Sequence, residues 1–273
     1  MKARYVSTLC LVVAIMLAGC AGVSPFGSNA SDTSTPPNQT EATVTTTDEA
    51  DISFPAGYAE SGIADPETAA DQHQAALSEY DNHTRNLTIM DGASKSKIYI
   101  TSQIDVAEKR GAMKISTVRA GNSLFNETTY HEEGTTYDSS SILGADRYNT
   151  TKEPFSSFKA NNSNVSGLEN MLENVSVRNA GTVTHDGETL FRYNATNVSK
   201  AEPFVSTVQP VDIDAVESFN GTVLVDEEGI IRQFKTTTTY VDEGKTETAT
   251  ISVLFTDIGS TAVNKPDWIE TAE

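Results

Sequence analysis

Alternation of apolar and polar residues is the main pattern of this chain, and residues 246–255 (TETATISVLF) show it most clearly. The apolar positions there are Ala249, Ile251, Val253 and Phe255. The positions between them hold mostly threonine and serine, including Thr248, Thr250 and Ser252. This spacing predicts an antiparallel strand with one buried face and one face in water.

The same period of two recurs in earlier segments, namely residues 96–108, 111–120 and 123–132. Two turn sequences, DEEG at residues 226–229 and VDEG at residues 241–244, separate the late strand segments. They predict a meander of neighbouring strands built from residues 221–225, 230–240 and 246–255.

Helical spacing occurs at fewer places. Asp65 followed by Pro66 is typical of a helix start, and the apolar spacing after it predicts a helix from Pro66 to Tyr80. Residues 165–175 predict a short helix whose apolar face carries Leu168, Met171, Leu172 and Val175. Residues 211–219 (VDIDAVESF) are compatible with another helical turn or two.

These elements predict an α+β fold with one large antiparallel sheet. We expect roughly eight to eleven strands, which favours strong curvature because open sheets of that size seldom stay flat.

The N-terminus predicts a cleaved leader that ends in a cysteine. Lys2 and Arg4 precede an apolar run from Tyr5 to Leu17, which has the length of a signal-peptide core and is short for a membrane span. The quartet LAGC at residues 17–20 matches the lipobox of lipoprotein signal peptides residue by residue. That resemblance implies cleavage before Cys20 and a lipid on its thiol, the nucleophilic group suited to a thioether.

Domain boundaries follow from the leader and from composition. Residues 1–19 are the predicted signal peptide, and Cys20 begins a Ser/Thr-rich stalk to residue 51 with almost no large apolar side chain. Residues 52–273 form the single predicted domain. We therefore expect a protein anchored by lipid on the extracytoplasmic face of the cell membrane, with the membrane as its partner.

The acidic net charge limits the kinds of partner that the protein can bind. The net charge is −19, from 38 acidic and 19 basic residues spread along the chain. Nucleic-acid binding is excluded because it requires basic residues to neutralise phosphates. The excess of carboxylates is either an ordinary solvated surface or an adaptation to high salt, and we favour the second interpretation.

Asn-x-Ser/Thr triplets recur along the chain, including one at Asn149, and suggest a glycosylated extracytoplasmic surface. The selected candidates are Asn82, Asn86, Asn126, Asn174 and Asn220.

A family resemblance links the lipobox, the stalk, the segments FPAGYAESGIAD and DQHQAAL, and the ending DIGSTAVNKPDW. Together they resemble haloarchaeal lipoproteins of unassigned function. The pattern from Phe54 to Trp268 is similar to the superfamily of the lipoprotein carrier and the mycobacterial lipid-binding lipoproteins. That resemblance implies a half-barrel with helices over its concave apolar face, able to hold acyl chains.

Candidate chemistry is sparse. None of His73, His83, His131 and His185 stands in a catalytic motif, and the position of His73 indicates a core or rim residue of its helix. No nucleophile elbow, zinc-protease motif or phosphate loop occurs in the sequence. The acidic runs at residues 226–228 and 242–243 lack the spacing of a calcium loop and are interpreted as solvated turns. We expect no enzymatic activity, no cofactor and no metal.

Two functions remain open. In the first, a lipid or another apolar ligand binds the concave face. The tentative lining residues are Leu168, Met171, Leu172, Ile251, Val253 and Phe255. In the second, these side chains are simply core, and the protein is a non-catalytic surface lipoprotein whose sheet faces or edges bind a partner. The apolar side chains are often small and aromatics are few, so we expect a cavity that is shallow, filled by side chains or absent.

Overall fold

The computed structural model describes residues 43–44, 53–142, 145–163, 172, 177–185, 187–195 and 212–272. The first elements are the two-residue strands β1 (Thr43–Val44), β2 (Tyr58–Ala59) and β3 (Gly62–Ile63), followed by helix α1 (Pro66–Ser78). Six strands follow: β4 (Asn82–Asp91), β5 (Ser96–Asp105), β6 (Arg110–Arg119), β7 (Asn122–Glu132), β8 (Thr135–Ile142) and β9 (Ala145–Lys152). Helix α2 (Phe155–Ser163) precedes β10 (Val177–His185), β11 (Glu188–Ala195), β12 (Val216–Val225), β13 (Ile231–Asp242), β14 (Lys245–Thr256) and helix α3 (Ile269–Ala272).

One open, strongly curved antiparallel sheet dominates the fold, as predicted. Within the described residues it has twelve strands, in the order β1-β10-β11-β12-β13-β14-β4-β5-β6-β7-β8-β9. This number slightly exceeds the expected one because it counts the short β1. Two meanders, β4–β9 and β10–β14, meet where β14 pairs with β4. The architecture is an α+β half-barrel. β2 and β3 form a separate small hairpin.

Tight two-residue turns set the register of three hairpins. Each turn is a residue pair that ends in glycine and has positive φ at both positions: Ala120–Gly121, Glu133–Gly134 and Glu243–Gly244. This conformation matches the twist of the flanking strands, and glycine adopts it without steric cost. The flanking residues pair directly, for example Arg119 with Asn122.

Helix α1 begins where the sequence predicts. The Asp65 carboxylate accepts hydrogen bonds from the Thr68 backbone N–H at 3.1 Å and the Thr68 hydroxyl at 2.8 Å, and the first of these lowers the pKa of Asp65. The helix ends at Ser78, two residues before the predicted end. Its buried face consists of Ala69, His73, Ala76 and Leu77.

Both longer helices lie on the same side of the sheet, which we call the inner face. Helix α1 packs on the main core, whose strand residues include Tyr193, Val223, Phe234, Val253 and Phe255. Helix α2 approaches β5, β6 and β7 farther along the sheet. At Gly111 of β6, a β-carbon would collide with the Phe158 ring of α2, so glycine permits this close contact.

The C-terminal segment crosses the opposite, outer face. The Asn82 backbone carbonyl accepts from the Gly259 N–H at 2.8 Å, and its side-chain oxygen accepts from the Thr261 N–H at 3.1 Å. Val263 and Ile269 then pack on Tyr130 in a small outer cluster. The distinctive ending DIGSTAVNKPDW is therefore a strap over the outside of the sheet.

Three sequence predictions need correction. Thr250 and Ser252 are buried rather than in water, because they lie at the centre of a wide sheet between strands β13 and β4. Asp226 is buried too: its carboxylate accepts from the Ile230 N–H and from Arg232 Nε, each at 2.7 Å. The helical turn in residues 211–219 is limited to a 3₁₀ turn at Ile213–Ala215, since Val216 is extended and opens β12.

Candidate functional site

A second apolar cluster on the inner face is the strongest candidate site. Ile98, Ile100 and Ile115 are its buried members, and Leu87, Ile89, Met113 and Phe125 pack against them while partly exposed. All seven side chains belong to strands β4 to β7. Within the described residues, no helix side chain belongs to this cluster.

Strand register explains why these residues meet. Leu87 pairs with Ile100, and Ile100 pairs with Ile115, so the three form one row across the sheet. Ile89, Ile98 and Thr117 form the next row. Paired residues in an antiparallel sheet point to the same face, which makes the rows a continuous apolar surface. Leu87 also packs against the main core, so the two clusters adjoin.

Polar groups border this surface on two sides. On β4, the Arg85 guanidinium donates to the Ser102 hydroxyl on β5 at 3.4 Å. Burial lowers the pKa of Arg85. On β7, Glu127 pairs with Ser140 of β8. Burial, together with the charge of Asp138, raises the pKa of Glu127. The inner face therefore changes from apolar at its centre to charged at its margins.

Two buried histidines lie beside Phe255 of the main core, His73 on α1 and His83 on β4. His73 Nδ1 accepts from the Ile231 N–H at 3.1 Å, and its ring lies 4.9 Å from Phe255, edge-on. Burial, with a smaller effect from His83, lowers the pKa of His73 to about 4. The side chain is fully buried, so His73 is a core residue, as its helical position indicated.

His83 is only 3% exposed, and neither ring nitrogen has a hydrogen-bond partner among the described residues. Burial lowers its pKa to about 4, helped by the positive charges of Lys159 and Arg85. Both histidines are therefore neutral near pH 7, and they add no charge to the inner face.

The predicted lining residues are only partly within the described chain. Ile251, Val253 and Phe255 belong to the main core under α1 rather than to the strand-only cluster. Leu172 is helical, 1% exposed and also part of the main core. Leu168 and Met171 lie outside the described residues, as does Cys20.

Sequence reasoning missed the residues of β4 that contribute to the cluster, chiefly Leu87 and Ile89. Their signal was present, because residues 82–91 (NHTRNLTIMD) alternate in the same way as the strands that were recognised. The polar side chains interspersed among them made the alternation weaker.

A shallow groove of about 280 Å³ lies on the opposite face of the sheet. Its lining residues are Thr101, Gln103, Ala112, Met113, Lys114, Thr128, Asn264 and Pro266. Its walls are mixed, with somewhat more apolar than polar surface, and the C-terminal strap forms one side. It differs in character from the apolar inner surface.

The described residues contain neither a metal-binding cluster nor a membrane-spanning helix. No group of three or more histidine, cysteine, aspartate or glutamate side chains there is placed to hold a metal ion. No helix in the same part of the chain has the length and apolar character needed to cross a bilayer.

The sequence profile of a family of unknown function, DUF7537, matches residues 5–272. The chain belongs to the DUF7537 family. No curated protein sequence matches it significantly. The matched range includes most of the predicted leader, the predicted stalk and the whole sheet, so the DUF7537 profile is not confined to the folded domain.

Solved structures similar to this DUF7537 chain include two mycobacterial lipoproteins. LppX from Mycobacterium tuberculosis has 11% sequence identity and a TM-score of 0.39, with 72% of this chain and 97% of that chain covered. LprF from Mycobacterium bovis has 10% sequence identity and a TM-score of 0.39, with 74% of this chain and 96% of that chain covered.

The predicted glycosylation sites of this DUF7537 protein differ in accessibility. Asn220 is exposed on β12. Asn82 and Asn86 are half-buried and accept hydrogen bonds from Thr261 and Thr101. The Asn126 side-chain nitrogen already donates to Ser123 at 2.8 Å. Asn174 lies outside the described residues. Among the four candidates that the structure describes, Asn220 is the one whose modification would disturb the fewest contacts.

Proposed function

We propose that this protein is a non-catalytic lipoprotein, anchored by lipid on the extracytoplasmic face of the membrane, that binds an apolar ligand on its inner face. The ligand class is a lipid or the acyl group of another lipoprotein. The observation that carries the proposal is the second apolar cluster, since strand side chains alone build it.

The position of this cluster suits a bound chain. The main core fills the inner face on one side under α1, and α2 contacts the sheet on the other side through Phe158 and Gly111. Beside these regions lie seven apolar side chains, of which Leu87, Ile89, Met113 and Phe125 remain partly exposed. Binding sites for apolar ligands are typically concave, largely apolar and edged by a few polar groups. Arg85 and Glu127 supply such an edge.

Enlarging a side chain within the cluster should displace the ligand without unfolding the protein. We expect the full-length chain, purified in mild detergent, to carry a non-covalent lipid at close to one per protein. Met113→Trp should reduce that lipid about tenfold, because the indole occupies space that the ligand needs, with a change in melting temperature of only a few degrees. Lys114→Trp, on the next residue and the outer face, is the matched control and should keep the lipid.

The same variants separate a binding site from a filled interior. In a filled core, Met113→Trp would overpack the sheet and cost about 1–3 kcal/mol of stability, with no lipid to lose. Mass spectrometry of organic extracts, together with thermal unfolding, distinguishes the two results. A lipid-free parent protein combined with a destabilised Met113→Trp variant would contradict the proposal and favour the surface-interaction function.

Anchoring has its own test. In the native host, the parent protein should partition with membranes and gain the mass of a lipid at residue 20. Cys20→Ser removes the thiol that would form the thioether, so the variant should lack that mass and stay uncleaved, with its leader attached. Intact-mass measurement is the readout. Retention of the lipid mass by Cys20→Ser would contradict anchoring at this residue.

A further inference from the structure

Among the strands that the structure describes, β9 is the last of the sheet and forms its edge along its whole length. All eight residues of β9 are exposed. The strand pairs with β8 over eight successive residue pairs, without a bulge. No described strand lies on its other side. Its outward backbone N–H and C=O groups are therefore available for pairing.

Several features that block edge strands are missing from β9. Proteins commonly protect edges with proline, bulges, very short strands or charged side chains, and of these β9 has only the charges, on Asp146, Arg147 and Lys152. β9 has neither proline nor a bulge, and Pro154 comes only after the strand has ended. At the opposite edge, by contrast, the chain's own Thr43–Val44 pairs with β10. Two of the large apolar side chains that are most exposed, Ile142 at 45% and Tyr148 at 43%, lie beside the open edge.

Two of the three charged residues of β9 are placed symmetrically about Asn149. Asn149 has Asp146 three residues before it and Lys152 three residues after it. When two copies of such a strand pair antiparallel about a twofold axis at Asn149, each Asp146 stands opposite the other copy's Lys152. Opposite charges placed directly across two strands favour pairing.

We propose that β9 is a dimerisation strand, on which the β9 of a second copy of this chain pairs antiparallel with Asn149 at the twofold axis. This joins the two sheets into one continuous sheet. In this register Tyr148 faces Thr150 of the other copy on the outer face. Arg147 faces Thr151 on the inner face. The proposal is independent of the ligand-binding function.

Electrostatics favours this edge over other surfaces for self-association. The chain as a whole carries −19, so two copies repel each other at most contact points. β9 contains Arg147 and Lys152 against Asp146, which makes it locally basic. Lys152 Nζ currently donates to the Thr135 hydroxyl on β8 at 2.7 Å, and its exposed side chain can turn from there toward the edge.

Disulfide cross-linking tests the register directly. Asn149→Cys in the full-length chain places two thiols opposite each other at the axis, where antiparallel partners have β-carbons about 4.5–5.5 Å apart. Mild oxidation of membranes should yield a dimer on non-reducing gels. Arg147→Cys, on the same strand and face, should give at least about tenfold less dimer, because its thiols would be separated by four residue steps of about 3.3 Å each.

Charge exchange in the Asn149→Cys background supplies the second test. Asp146→Lys should reduce the cross-linked fraction severalfold, since lysine would then face lysine. Adding Lys152→Asp should restore it. Equal cross-linking at residues 147 and 149, absence of a dimer at 149, or failure of the exchange to restore it would overturn the proposal. Circular dichroism of each variant verifies that the sheet is intact.

Discussion

Replacing Gly57 with alanine is expected to lower the free energy of unfolding by about 3 kcal/mol or more. Gly57 has φ of +82°, and a β-carbon there would collide with the Ala69 nitrogen and lie 2.7 Å from the Asp65 carbonyl oxygen. Both contacts are with backbone, which has no rotamer to change. Alanine would therefore push the start of α1 away from the loop that carries residue 57.

The Gly57 carbonyl is also tied to the start of the helix. It accepts hydrogen bonds from the Ala64 N–H at 2.9 Å and the Asp65 N–H at 3.1 Å. Moving the glycine therefore disturbs the N-cap that begins α1. Because Ala69 is fully buried in the main core, displacement of the helix propagates to the packing of the inner face.

Gly121→Ala is the matched control for this prediction. Gly121 has nearly the same φ, +84°, but a β-carbon there would meet nothing within 4 Å. The control isolates the cost of the left-handed conformation, about 1–2 kcal/mol. Urea unfolding followed by far-ultraviolet circular dichroism measures both variants. If Gly57→Ala and Gly121→Ala lowered the free energy of unfolding equally, the collision with α1 would make no contribution to stability.

Acidification is expected to destabilise the protein through His73 and His83. Burial holds the pKa of each at about 4 in the folded state, against about 6.5 for unfolded histidine. Between these values the unfolded chain binds more protons, so stability falls as pH falls from 6.5 toward 4 and is fully present above that range. Each histidine contributes a slope of up to about 1.4 kcal/mol per pH unit.

His83→Phe separates this contribution from that of the carboxylates. Burial raises the pKa of Glu127, Asp138 and Asp226, which opposes the histidine effect on acidification. Both nitrogens of His83 lack a partner among the described residues, so a phenyl ring should be tolerated at pH 8. The stability difference between pH 7 and pH 5 should shrink by roughly 2 kcal/mol relative to the parent. If urea unfolding gave the same stability difference between pH 7 and pH 5 for His83→Phe and the parent, His83 would not be a buried neutral residue.

The helices and strands were well predicted because helix starts and strand alternation depend on residues that are close in the sequence. Asp65 with Pro66 placed the start of α1, and the alternation in residues 246–255 placed β14. Burial depends on neighbours that are distant in sequence, which is why Thr250 and Asp226 were misjudged. Thr250 is enclosed by flanking strands, and Asp226 is buried against its partly exposed partner Arg232.

The candidate site was less predictable than the fold for the same reason. Ile98, Ile100 and Ile115 were recognisable as core residues from alternation alone. Their separation from the main core depends on where α1 and α2 settle, and no spacing rule specifies that position. The importance of β4 depends on its pairing with β14, which joins segments far apart in the chain.

That pairing has a consequence for the order in which the molecule can form. The β4–β14 seam lies in the middle of the sheet, yet β14 is the last strand of the sheet to be synthesised, and the strap that follows it binds back to Asn82 at the start of β4. Contacts between such distant segments carry a large loop-closure entropy and slow folding. Each meander can begin to form early, but the complete sheet must await almost the entire chain. A nascent polypeptide of this design thus remains unfinished, and open to transport in an extended state, until its final residues have emerged.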